Sequence, residues 1–348
     1  MIGGVETASI HVMNALYGGR EGDARNMAIV TTIVGVALLY GYAGSFDLKT
    51  IAEAVQNPTM GRGILVAGMA MLAVGLLFKI GVVPFHNWTP DVYTGAPTAV
   101  TGFMAICTKL AAVGATLRVF YVALGGERWT WQPLLAVLVV ATMVVGAVWG
   151  LTQTDIKRTL AYSSIAHAGF IMTAVVGAAA GTATSPLDSL SSALFYLVVY
   201  GLASIGAFAV ITMVRNSSGE ANAIASWSGL GRKSPLVAGV FALFMLSFTG
   251  IPLTGGFIGK WAVFAAAWRG GYDWLVIVAV LLSLVAAVFY LRIIVVMFFG
   301  EPADGVVVGK ASAFTWLPIA VSALGVAVLG VFPGPVLALA TAAGTFIR

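Results

Sequence analysis

Lys79, Lys109 and Lys260 each lie inside a long apolar stretch, with no other Asp, Glu, Lys or Arg within eight positions. A charge at bilayer depth costs about 2.5–3.5 kcal/mol on insertion scales, so such residues face a protein interior or a wet cavity and mark ion or proton paths. Removal from water disfavours the charged form of a lysine. A lysine so placed can load and release a proton when a neighbouring charge changes. The rival reading is a side chain that snorkels to the interface. That rival is strongest for Lys79, near a span end, and weakest for Lys109, with apolar or small residues on both sides.

His167 adds a second kind of proton carrier. It lies in LAYSSIAHAGF, preceded by Tyr162, Ser163 and Ser164. Histidine titrates near neutrality and can pass a proton either way. A histidine that only bonds a helix neighbour is the alternative, and both readings stand. His86 sits beside Trp88 and Asp91, where capping a chain break competes with proton relay.

Bond-making chemistry has no signature here. No GxGxxG follows a strand, and no P-loop, HExxH or cysteine cluster occurs. Three histidines and one cysteine leave a redox metal almost nothing to bind. The chain is therefore expected to hold no flavin, iron–sulfur cluster or other cofactor of its own. Cys107, mid-span, reads as a small packing residue.

The elements that must position these groups are membrane spans. Hydrophobic residues make up 60% of the chain, charged residues 9%, and mean hydropathy is +0.99. Ordinary soluble domains have roughly 25% charged residues. Apolar runs of about 20 residues recur, enough to cross a bilayer core. Backbone groups in lipid must bond internally, so these runs are expected to be helices. The net charge of +5 sits mostly in loops, where membrane proteins place it, and not in a nucleic-acid-binding patch.

Nine spans are expected, beginning near Met27, Gly63, Pro97, Pro133, Thr159, Leu187, Pro235, Trp274 and Phe314. The last runs to about Leu339. Residues 1–26 read as a polar arm. Two spans should be broken. One breaks after Lys79, at VPFHNWTP; the other breaks before Lys260, at FTGIPLTGGFIGK, where a proline and four glycines cluster. Paired discontinuous helices point to an inverted-repeat transporter. The loops with Lys157 and Arg158, with Arg215, Arg232 and Lys233, and with Lys310 share one side, which the positive-inside rule makes cytoplasmic.

The strings GLLFKIGVVPFHNWTPDVYTGAPTAVTGFMAICTK, DIKRTLAYSSIAHAGF and GIPLTGGFIGKWAVF closely resemble the antiporter-like membrane subunits of respiratory complex I, the proton-pumping NADH:quinone oxidoreductase, and among them the subunit N family. The resemblance covers roughly residues 29 to 340. Other antiporter-like subunits, and the multisubunit sodium/proton antiporters, typically carry a histidine in a segment like SALIHAAT; here it reads TGFMAICTK, as in subunit N.

The resemblance implies an all-α polytopic helix bundle with the antiporter-like inverted-repeat fold. Residues 27–124 would be a partial first repeat, 133–299 the second, and 300–348 a C-terminal span. It implies that Lys79 is the proton-loading lysine of the first broken helix. Lys109 would be the connecting lysine, His167 the central histidine, and Lys260 the terminal lysine. His86, Asp91, Tyr162, Ser163 and Ser164 would support them. It also implies a bacterial plasma-membrane location and partners among the other membrane subunits of the complex. NADH, FMN, iron–sulfur clusters and quinone would be handled by those partners.

Family members have about fourteen spans, and an early one carries a glutamate that pairs with the residue matching Lys79. The sequence given lacks those spans, and Glu6 lies in an arm that does not resemble them. The first repeat is accordingly expected to be incomplete. Two alternatives remain: a cation/proton antiporter or hydrogenase-linked relative, and a truncated chain with only a structural role.

Overall fold

The computed structural model describes residues 20–58, 60–177, 189–217, 219–309 and 312–347. The first nineteen residues, Asp188 and Lys310 thus lie outside the described residues. Among the described residues, eight helices are long and apolar enough to cross a membrane. They are α1 (Arg20–Ala43), α3 (Arg62–Ile80), α5 (Thr98–Leu117, prolonged by a π-helical turn to Ala123), α6 (Arg128–Thr152), α7 (Ile156–Val176), α8 (Ser189–Ile211), α12 (Asp273–Phe299) and α13 (Ala313–Val331). Two short helices in series, α10 (Pro235–Thr249) and α11 (Gly255–Arg269), together reach the length of a ninth span. The remaining helices are α2 (Leu48–Gln56), α4 (Trp88–Gly95), α9 (Leu230–Lys233) and α14 (Gly334–Ile347).

Three expected boundaries differ by five residues or more. Helix α6 starts at Arg128 rather than near Pro133, which lies inside the helix. Helix α1 starts at Arg20 rather than near Met27, because a helix can continue past the apolar core into polar sequence. The last span stops at Val331, short of Leu339. Pro333 lacks an N–H and pushes Phe332 out of helical geometry, and the chain restarts as α14.

Helix α7 is the axis of the bundle. Every residue from Ile156 to Val176 except Arg158 is buried. This helix carries Tyr162, Ser163, Ser164 and His167, which lipid would not tolerate, and its neighbours shield them. Small residues let backbones approach in membrane bundles. A Cβ on Gly146 of α6 would collide with the backbone of Ala166 on α7.

Three short strands lie in the loops, an addition to the all-helical expectation. β1 (Val214–Asn216) pairs antiparallel with both β2 (Gly219–Glu220) and β3 (Val307–Val308). A bridge from Asp155 to Ala223 joins the same loops to the start of α7. The segments after α6, α8 and α12 therefore gather on one face of the bundle.

Candidate functional site

Both broken helices end in the same way. At the end of α3, Gly81 adopts φ +84, and the N–H groups of Gly81 and Val82 turn back onto Leu77 O. At the end of α10, Gly250 adopts φ +85, and Gly250 and Ile251 turn back onto Leu246 O. Glycine suits this left-handed position because it has no Cβ. A proline follows shortly in each case, Pro84 and Pro252, so neither helix resumes at once.

Each break exposes a carbonyl that a lysine caps. Lys109 Nζ donates to Ile80 O at 2.7 Å, and Lys260 Nζ donates to Thr249 O at 2.8 Å. These are the last residues of α3 and α10. Helix C-terminal carbonyls carry partial negative charge and attract cations. Both lysines are buried, so this carbonyl charge offsets part of what the ammonium loses on leaving water. Lys260 also donates to Ser283 Oγ on α12 at 2.6 Å and lies 5.0 Å over the Phe170 ring. The lysines reach their breaks from different places: Lys109 from the following helix α5, Lys260 from its own second half α11.

Lys79 stands apart. It is in the last turn of α3 and its side chain is exposed. The first break is capped by Lys109 instead.

His167 is buried between two tyrosines. Its Nδ1 lies 2.8 Å from Tyr196 Oη, and its Nε2 lies 3.1 Å from Tyr290 Oη. A neutral imidazole donates from one nitrogen and accepts at the other, and a phenol does both. The histidine can therefore take a proton on one side as it releases one on the other. Tyr290 continues to Ser163 Oγ. Tyr196 packs against α11 beside Lys260, for a Cβ on Gly259 would lie 2.7 Å from its ring.

Helix α4 links the first break to α7. Tyr93 Oη bonds Ser164 Oγ at 3.0 Å. Thr89, one turn earlier on the same face, has its hydroxyl beside Gly81, as Lys109 Nζ is. Tyr200 also meets Ser164, and its ring lies 4.9 Å from that of His167.

The other anticipated residues lie at the edges. Asp91 pairs with Arg158 at 2.8 Å, and Tyr162 also meets Arg158. His86 is half-buried in the first break, with Nδ1 shielded from solvent. Cys107 packs against the core. Tyr93, Tyr196, Tyr200, Tyr290 and Ser283 were not singled out by sequence. The spacing of Tyr196 and Tyr200, one turn apart on α8, was the one available signal. Among the described residues, no three His, Cys, Asp or Glu side chains gather to hold a metal.

The family model for "NADH:quinone oxidoreductase/Mrp antiporter, TM" matches residues 25–286. The chain belongs to this family. Subunit N of the NADH-quinone oxidoreductase of Cutibacterium acnes is 54% identical to this member over 322 residues, covering 91% of the chain and 60% of the relative. That of Rhodococcus opacus is 55% identical over 317 residues, covering 91% and 57%. The antiporter-family chain thus spans about three fifths of the length of the curated relatives it matches. Respiratory complex I from Thermus thermophilus contains a similar chain, with TM-score 0.77 and 31% identity over 96% of this chain and 73% of that one. The Mrp complex of a Dietzia species contains another, with TM-score 0.81 and 22% identity over 99% and 68%; that likeness speaks for the fold alone. The eight apolar helices and the bacterial relatives make this family member a multi-pass protein of the bacterial plasma membrane.

Proposed function

We propose that the chain is a proton-translocating membrane subunit of an NADH:quinone oxidoreductase. In this role it moves protons across the membrane in step with electron transfer from NADH to quinone. The observation that carries this is the pair of buried lysines on the two helix-break carbonyls, with the His167 hydroxyl line beside them. An arrangement of groups that all accept and release protons suits proton transfer.

In this reading Lys109, His167 and Lys260 carry the proton through the bundle. Lys79, exposed on α3, loads it. Residues 27–124 form a partial first repeat and 133–299 the second, since both contain one break with the same glycine turn. Residues 300–348 add the C-terminal span. The face with the β1–β2 hairpin is cytoplasmic. The other membrane subunits of the complex are the partners, and NADH, FMN, iron–sulfur clusters and quinone are bound elsewhere in it.

The antiporter reading is weaker because TGFMAICTK carries no histidine near Lys109, and because the relatives from Cutibacterium acnes and Rhodococcus opacus, at 54% and 55% identity, are subunit N.

The test is Lys109→Ala in the assembled complex, in proteoliposomes. Proton uptake and coupled quinone reduction should fall together. Lys109→Arg should not restore them fully, because guanidinium does not release a proton in a protein. Wild-type uptake by both variants would remove Lys109 from the path.

A further inference from the structure

A third buried lysine lies outside the line described above. Lys157, in the first turn of α7, is 3% exposed. Its Nζ donates to Ala96 O, the capping residue of α4, at 2.9 Å. The same ammonium lies 3.8 Å from Glu220 Oε2 on strand β2. Glu220 is about a quarter exposed at 27%, and it also accepts from the Thr98 hydroxyl at the start of α5.

The position of this pair is informative. Lys157 and Ser164 are seven residues apart on α7, so they share a face, about 10 Å apart along the axis. Ala96 and Tyr93 are likewise on α4 and its cap, three residues apart. The seam between α4 and α7 therefore begins at Lys157–Glu220 and leads to Tyr93–Ser164 and then to His167. One partner of the pair is buried and the other reaches water. The partner that reaches water sits on a two-residue strand, not on a spanning helix.

We infer that Lys157 and Glu220 form a proton-exchange site at the loop end of the α4–α7 seam, with strand β2 supplying the carboxylate. This rests on the proton-translocation reading above. Lys157 as ammonium loses an N–H proton inward to water in the seam. It is left as a neutral amine, and it recovers a proton from water on the hairpin side, so its own charge is restored each cycle. Glu220, 3.8 Å away, is the counter-charge of the ammonium. The charged groups around Lys157 are Glu220 from β2, Asp155 and Arg158 from α7, and Asp91 from α4. Asp91 is engaged by Arg158, and Asp155 caps α7 through the Arg158 N–H, which leaves Glu220 to face Lys157 across the seam.

The alternative is that Lys157 only anchors the α4–α5 corner through Ala96. The two roles separate on substitution in the assembled complex. K157R keeps a cationic donor for Ala96 and Glu220 but cannot give up a proton. It should assemble normally on a native gel, with proton uptake lowered by about tenfold or more. Wild-type uptake by K157R, with failure of K157Q to assemble, would make the lysine an anchor and overturn the inference. E220Q keeps an acceptor for Thr98 and removes the charge. It should assemble normally on a native gel with proton uptake lowered, and E220D, which restores the charge, should recover uptake. Wild-type uptake by E220Q would overturn the role of Glu220, and it decides the matter if K157R fails to assemble. Lys109→Ala serves as the reference. If it stops uptake and K157R does not, this inference falls and the proposed function stands. If neither slows uptake, both fall.

Discussion

Replacing Tyr290 by Phe isolates a single hydroxyl. The ring should stay in place. It packs 5.7 Å from Phe248 and 4.3 Å from Phe289, centroid to centroid, and phenylalanine fills the same space. The change removes the bond to His167 Nε2 and the bond to Ser163. Leaving a buried donor or acceptor unsatisfied costs about 1–3 kcal/mol. Ser163 can rotate toward the carbonyl one turn earlier on α7, so the loss should lie nearer one unsatisfied group than two. Destabilisation of about 1–3 kcal/mol is then expected, visible as a lower melting temperature in detergent without loss of assembly. The effect on proton movement should be larger. His167 keeps Tyr196 on one nitrogen and loses its relay on the other. A positioned acid–base group contributes about 10²–10⁴-fold to proton transfer, so uptake should fall at least about tenfold. The assay is uptake by proteoliposomes, with Phe289→Leu as a packing control that leaves both hydroxyl bonds intact. Wild-type uptake by Tyr290→Phe, with the expected fall in melting temperature, would refute the relay and leave the hydroxyl a structural bond.

Two further outcomes follow from the same structure. Gly250→Ala should destabilise by about 1–2 kcal/mol through its left-handed backbone alone, and slow uptake as well, since the new Cβ would lie 2.9 Å from Lys260 Cδ; Gly114→Ala, mid-helix with open space around it, should be neutral or stabilising by thermal unfolding. Cys107→Ala should change neither melting temperature nor uptake appreciably, because the thiol packs at the core edge and the small side chain leaves little to lose.

The architecture was legible because lipid imposes simple demands. A run of about 20 apolar residues can cross a bilayer in few ways, and the spans lie close to where those runs are. The two breaks were legible from Gly81–Pro84 and Gly250–Pro252, since glycine turns and proline stops act locally. What sequence could not supply was rotation about each helix axis. Position in the span already separated Lys79, near an end and exposed, from Lys109, in the middle and buried, but which break carbonyl Lys109 meets depends on how α3 and α5 pack. Lys157 escaped notice for a related reason. Beside Arg158 at a span end it reads as an ordinary loop charge, and its burial depends on a hairpin some sixty residues later. The tyrosines on α8 and α12 are amphipathic residues that suit an interface as well as a core, so their meeting at His167 is a fact of tertiary structure. The short strands carry too few residues for any alternation to show.

The enclosure of α7 bears on how the protein is made. A helix with two serines, a histidine and a lysine, and with no side turned to lipid, is a poor candidate to leave the translocon alone. Its predecessor α6 is apolar and presents Leu134, Val137 and Val148 outward, and only residues 153–155 separate the two. The glycine-mediated contact at Gly146 lets them close into a hairpin. Insertion as that hairpin would carry α7 across under cover of α6. The polar face of α7 would then wait, still wet, for α8 and α12 to arrive and seal it. On this view biogenesis is sequential, and a defect that loosens the α6–α7 contact should show first as degradation of the nascent chain, before any loss of catalysis could be measured.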